Sequence, residues 1–127
     1  MLKSYKFTLI LAVVILILSV MSVKSIPKID VKASDKIGHF LAYASLTIVV
    51  LFETAKKFRW SNEYRRSLIY LIPLCIGYGV LMEFLQASSL FNRHFEYLDM
   101  LANSIGVAVG CALFLLGFKQ IRSFYIK

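Results

Sequence analysis

Four long apolar runs, at about residues 7–23, 37–55, 67–85 and 100–118, limit what this chain can fold into more than any other feature. In hydrocarbon no water is present to satisfy an exposed N–H or C=O. A spanning segment must therefore pair its backbone within itself, as a helix does, or close into a barrel. About 20 apolar residues in helical form cross a bilayer core. Each run therefore predicts one transmembrane helix. The first is at the short end of the range, and flanking residues can extend it.

Composition leads to the same class. The chain has 127 residues, 59% of them hydrophobic, with a mean hydropathy of +0.73. A soluble domain of this size buries only about two-thirds of its surface on folding, too little to hide so much apolar area. The expectation is an all-α membrane protein with one domain over residues 1–127, multi-pass in a cell membrane. Lys3 and Lys6 precede the first run, and Ser19, Met21 and Val23 make a poor cleavage site. That run is expected to stay as a signal anchor. Pro27 predicts a break before the second run, whereas Pro73 stands inside the third, where membrane helices tolerate proline.

The formal net charge is +8. The basic residues lie between the apolar runs, where they suit anionic lipid headgroups, so membrane lipids are the expected partner and nucleic acid is not. Four crossings put both termini and the middle loop on one side. That side holds Lys3, Lys6, Lys56, Lys57, Arg59, Arg65, Arg66, Lys119, Arg122 and Lys127, which is ten of the fifteen basic residues. Lys24, Lys28, Lys32, Lys36 and Arg93 fall on the other. The excess predicts an N-in/C-in topology. Cys75 and Cys111 both lie in apolar runs without a partner motif and read as packing residues.

Polar residues on these spans carry the functional information. An ionisable group in hydrocarbon is costly, faces protein or water, and often marks function. Asp35, His39 and Tyr43 recur every four residues and share a helix face. Gly79, Glu83 and Gln86 make a second stripe, with Glu83 flanked by Leu81, Met82, Phe84 and Leu85. Asp99, Asn103, Gly106 and Gly110 make a third. Gly79, Gly106 and Gly110 are expected helix-packing positions, the last two as a small-xxx-small pair. Arg93 lies in the connector before the fourth run, with a guanidinium suited to a carboxylate or phosphate.

The strings Asp35-Lys-Ile-Gly-His39-Phe40-Leu-Ala-Tyr43, Glu83-Phe-Leu-Gln86, Arg93 and Asp99-Met-Leu-Ala-Asn103-Ser-Ile-Gly106 resemble the VanZ-like family. That family is named for a membrane protein associated with resistance to the glycopeptide teicoplanin. The resemblance runs over about residues 7–118. It implies a small bacterial envelope protein whose polar signature is Asp35, His39, Glu83, Gln86, Arg93, Asp99 and Asn103. It does not supply a reaction.

Three functional classes stay open. The first is a noncatalytic accessory protein that binds a lipid or a lipid-linked cell-wall intermediate, an envelope enzyme, or a second copy of itself, and affects teicoplanin susceptibility. The second is a membrane-embedded enzyme acting on a lipid-linked phosphate or glycan. In that case Glu83 or His39 would move a proton, Asp99 would orient its neighbour, and Arg93, Gln86, Asn103, Asp35 and Tyr43 would hold substrate. The third is an oligomeric small-solute transporter. No cofactor is expected. Asp35, His39, Glu83 and Asp99 could ligate a metal, but they lack a ligand spacing such as HExxH, so no metal is expected either.

Overall fold

The computed structural model describes residues 2–20, 31–59, 61–88 and 97–125, and within them not the side chains of residues 2, 31–35, 119 and 121–125. These residues form a short 3₁₀ turn, Leu2–Tyr5, and four α-helices: α1 (Lys6–Val20), α2 (Val31–Phe58), α3 (Asn62–Ala87) and α4 (Tyr97–Tyr125). No strand occurs among them. Each helix contains a stretch long and apolar enough to cross a membrane. Helices α2, α3 and α4 run beyond the apolar segments that mark them in the sequence. Hydropathy registers only the part in hydrocarbon, while the backbone ladder continues through charged but helix-compatible ends such as Asn62 to Arg66.

Helix α2 carries Lys56 and Lys57 in its last turn, where cations meet the negative end of the helix dipole. It stops at Arg59, which takes a left-handed backbone with φ of 46°. The Ser61 N–H then donates to the Phe58 carbonyl at 3.0 Å, and the Tyr64 N–H donates to the Ser61 carbonyl at 3.1 Å. So short a turn returns the chain antiparallel, with α3 alongside α2. Pro73 stands on the exposed side of an unbroken α3.

Helix α2 is the centre of the bundle. Its Tyr43, Ala44, Leu46, Thr47, Val50, Leu51, Thr54 and Ala55 are all buried, at the three- and four-residue spacing of a wide helical stripe. Helix α4 is its principal partner, and glycine decides how closely they approach. A Cβ at Gly106 would lie 2.5 Å from the Phe40 carbonyl oxygen, and one at Gly110 would lie 2.6 Å from that of Ala44. Phe40 and Ala44 are one turn apart, as are Gly106 and Gly110. Backbone meets backbone along this seam. Lipid tails are as apolar as leucine, so such close van der Waals contact replaces the hydrophobic drive of a soluble core.

The outer faces remain apolar. Ile69, Tyr70, Leu74, Leu81, Phe84, Leu113 and Leu116 each expose more than half their surface, a pattern suited to lipid and to no aqueous surface. Helix α1 is peripheral, with 11% of its spanning window buried. It is attached by polar contacts at separate points. Glu53 of α2 accepts from the Phe7 N–H at 2.9 Å, the Thr8 N–H at 3.0 Å and the Thr8 hydroxyl at 2.6 Å. Higher up, the Tyr78 hydroxyl of α3 donates to the Ala12 carbonyl at 2.6 Å.

Candidate functional site

The beginning of α2, the end of α3 and the beginning of α4 meet at the membrane face opposite the α2–α3 turn. Each helix brings a pair of polar or small residues one turn apart: His39 and Tyr43, Glu83 and Gly79, Asp99 and Asn103. The pairs stack into two layers. The rim layer holds His39, Glu83 and Asp99. The deeper layer holds Tyr43, Gly79 and Asn103.

In the rim layer, His39 Nδ1 lies 3.6 Å from Glu83 Oε1, and His39 Nε2 lies 3.9 Å from Asp99 Oδ2. The imidazole therefore has a carboxylate beyond each of its nitrogens. Glu83 is 1% exposed and Asp99 5%, so both acids are held by protein rather than by solvent. Asp99 lies in the first turn of α4, where the unpaired N–H groups of the helix end favour a negative charge. One donor atom from each of His39, Glu83 and Asp99 lies within 4.8 Å of the other two.

The deeper layer connects to the rim through Asn103. Its Oδ1 lies 3.0 Å from His39 Nδ1. An amide oxygen only accepts, so with the amide in this orientation Nδ1 carries a proton and donates it to Asn103; in the neutral imidazole Nε2 is then the nitrogen with the lone pair. Asn103 is 2% exposed, and its Nδ2 has no hydrogen-bond partner among the described residues. The Tyr43 hydroxyl, on a residue 1% exposed, is in the same condition. Gly79 lets these side chains come together: a Cβ there would stand 3.2 Å from both Asn103 Cβ and Tyr43 Cε1. Gln86 is buried one turn beyond Glu83 on α3.

The structure thus brings together His39, Glu83, Asp99, Asn103, Tyr43 and Gly79, with Gln86 at the same end of the bundle. Gly106 and Gly110 lie farther along α4, in the seam with α2. Asp35 belongs to α2, but its side chain lies outside the described residues, as does Arg93 altogether.

Sequence reasoning missed two residues. Lys36, counted only as an outer-loop charge, places Nζ 3.6 Å from Asp99 Oδ1. Its three-residue spacing from His39 already put it on that helix face. Glu53, at the charged end of the second run, is 7% exposed and holds the start of α1. The available signal was a single acid three residues before the Lys56-Lys57 pair.

No protein-family model, curated protein or solved structure matches this chain. The fold and the site define a class: a multi-pass, all-α integral membrane protein with four helices of spanning length and a buried polar centre near one face.

Proposed function

We propose that this chain is a VanZ-like envelope membrane protein whose polar centre binds the head of a lipid or a lipid-linked cell-wall precursor and thereby affects teicoplanin susceptibility. One observation carries the reading. Three helices of an otherwise apolar bundle place His39, Glu83, Asp99 and Asn103 within hydrogen-bonding or ion-pairing reach at one membrane rim. Buried polar groups in a membrane bundle are costly unless they serve packing or a ligand. The site faces the level at which lipid headgroups lie. By the positive-inside count that level is the outer surface, where cell-wall precursors are used.

Binding follows from the chemistry of the groups. The Asn103 amide and the Tyr43 hydroxyl can donate to phosphate or sugar oxygens, and Lys36 adds a cation at the rim. A second reading, a membrane-embedded enzyme acting on a lipid-linked phosphate or glycan, is favoured by His39 lying between two carboxylates. An imidazole so placed can take a proton and have the resulting charge stabilised.

The test compares wild type with Glu83→Gln at matched membrane levels in a susceptible Gram-positive host. Wild type is expected to raise the teicoplanin concentration needed for inhibition several-fold, and the variant to return it to the vector level. Equal protection by both would remove Glu83 from the function, and no protection by wild type would reject the susceptibility role. Lipids copurified with each protein report on binding directly: a phospholipid or polyprenyl phosphate enriched with wild type and lost from the variant supports it.

A further inference from the structure

We propose that His39, Glu83 and Asp99 bind a divalent first-row cation, Mn²⁺ or Zn²⁺ in class, at the rim of the bundle. The inference shares a site with the lipid reading but does not depend on it, because a cation can bind whether or not a lipid follows.

The donor set is mixed. Carboxylate oxygen suits Mn²⁺, imidazole nitrogen suits Zn²⁺, and two carboxylates with one imidazole accommodate either. The three residues come from three helices, and one donor atom of each lies within 4.8 Å of the others. Donors around such a cation, at bonds of about 2.1 Å, stand roughly 3 to 4 Å apart. Side-chain rotations that close a gap of about 1–2 Å bring the donors to that spacing.

Two features beyond the acids point to a ligand. The first is the orientation of the imidazole. A metal-binding histidine usually donates its other N–H to a carbonyl or carboxylate, which fixes ring and tautomer. Asn103 Oδ1, 3.0 Å from His39 Nδ1, holds the ring in that way and turns Nε2 toward Asp99 Oδ2 at 3.9 Å; Glu83, whose Oε1 lies 3.6 Å from Nδ1, turns its side chain to meet the same cation. The second is the other end of the same amide. Asn103 Nδ2 is buried and has no hydrogen-bond partner among the described residues. A buried N–H donor on the residue that orients the imidazole fits an oxygen brought in with the cation, whether from water or a phosphate. The Tyr43 hydroxyl is a second such donor in the deeper layer.

Lys36 is the competitor. Its ammonium lies 3.6 Å from Asp99 Oδ1, and its side chain is 28% exposed. Its flexible stem lets it swing into the headgroup region as a cation enters. The site therefore exchanges an ammonium for a dication at the same carboxylate. A phosphate bound there would meet a cation in front of the two acids, instead of the acids themselves.

The experiment uses full-length protein in detergent, purified through a tag without histidine and stripped with chelator. Mn²⁺ is titrated and followed by the electron paramagnetic resonance of the free ion. Wild type is expected to bind one Mn²⁺ saturably, and Zn²⁺ to displace it. Glu83→Gln and Asp99→Asn, each checked for folding by circular dichroism and gel filtration, are expected to bind at least tenfold more weakly. The chain has two histidines, so His94→Gln leaves His39 as the single imidazole. In that variant, ¹⁵N-labelled histidine is expected to alter the electron spin-echo modulation of bound Mn²⁺. This readout stands even if a carboxylate variant fails to fold. No saturable binding by wild type, wild-type affinity in both folded carboxylate variants, or no nitrogen coupling in His94→Gln would each overturn the proposal. Cation binding without any effect on teicoplanin or lipid copurification would retain the metal site and reject the proposed function. The reverse result would retain the function and reject the metal.

Discussion

At the residue scale, the two exposed-or-buried states of glycine on α3 give the sharpest contrast. Gly79 and Gly77 are two residues apart on the same helix, yet their surroundings differ. A Cβ at Gly79 would press on Asn103 Cβ and Tyr43 Cε1, each 3.2 Å away, whereas one at Gly77 meets nothing within 4 Å. Gly79→Ala is therefore expected to destabilise by about 1–3 kcal/mol through overpacking. It should also disturb the Asn103 contact with His39. Gly77→Ala is expected to stabilise by roughly 0.5–1 kcal/mol, since glycine inside a helix loses more conformational entropy on folding than alanine. Thermal unfolding of both variants in one detergent checks the pair. Equal shifts in the same direction would show that the Tyr43–Gly79–Asn103 layer is not tightly packed.

At the element scale, the question is what holds α1 to a bundle that buries so little of it. The first N–H groups of any helix lack intrahelical partners. At the start of α1 two of them, on Phe7 and Thr8, are taken by the two oxygens of Glu53. The same carboxylate faces the positive end of the α1 dipole. Lys57 reinforces this end, with Nζ 5.0 Å from the centre of the Tyr5 ring. Hydrogen bonds to a charged group contribute about 1.5–3 kcal/mol, so Glu53→Ala is expected to destabilise by about that much. Glu53→Gln, which keeps one carbonyl acceptor, should lose less. The check is thermal unfolding together with protease sensitivity between α1 and α2: α1 should become cleavable from a core that stays folded. An unchanged melting temperature and digestion pattern would show that the Ala12 contact with Tyr78 and lipid packing hold α1 unaided.

At the scale of the whole molecule, the bundle has two different polar ends. One end gathers Lys3, Lys6, Glu53, Lys56, Lys57 and the α2–α3 turn. The other gathers His39, Glu83, Gln86, Asp99 and Asn103. By the charge count the first end is expected on the cytoplasmic side. Ser61 is exposed in the turn at that end, which makes it a reporter of orientation. With Cys75 and Cys111 replaced by alanine, Ser61→Cys is expected to react with a membrane-impermeant maleimide only after the cells are opened. Labelling of intact cells would invert the topology and put the polar centre on the cytoplasmic side.

The sequence by itself determined the class and the number of crossings, because hydrocarbon accepts only internally paired backbone and the apolar runs have the length a helix needs. It also placed each polar stripe on one helix face, because 3.6 residues per turn is a local property. Which stripes meet was decided by tertiary structure. The Gly106–Gly110 pair could have packed on any neighbour, and it is the carbonyls of Phe40 and Ala44 that it touches. That seam sets the height of α4 against α2, and so brings Asn103 to His39 and Asp99 to Lys36. Glu53 shows the same division. Its charge is evident in the sequence, but its partners lie 45 and 46 residues away. No periodicity encodes a contact between helices, because that contact depends on the shapes of two surfaces that only the folded chain presents to each other.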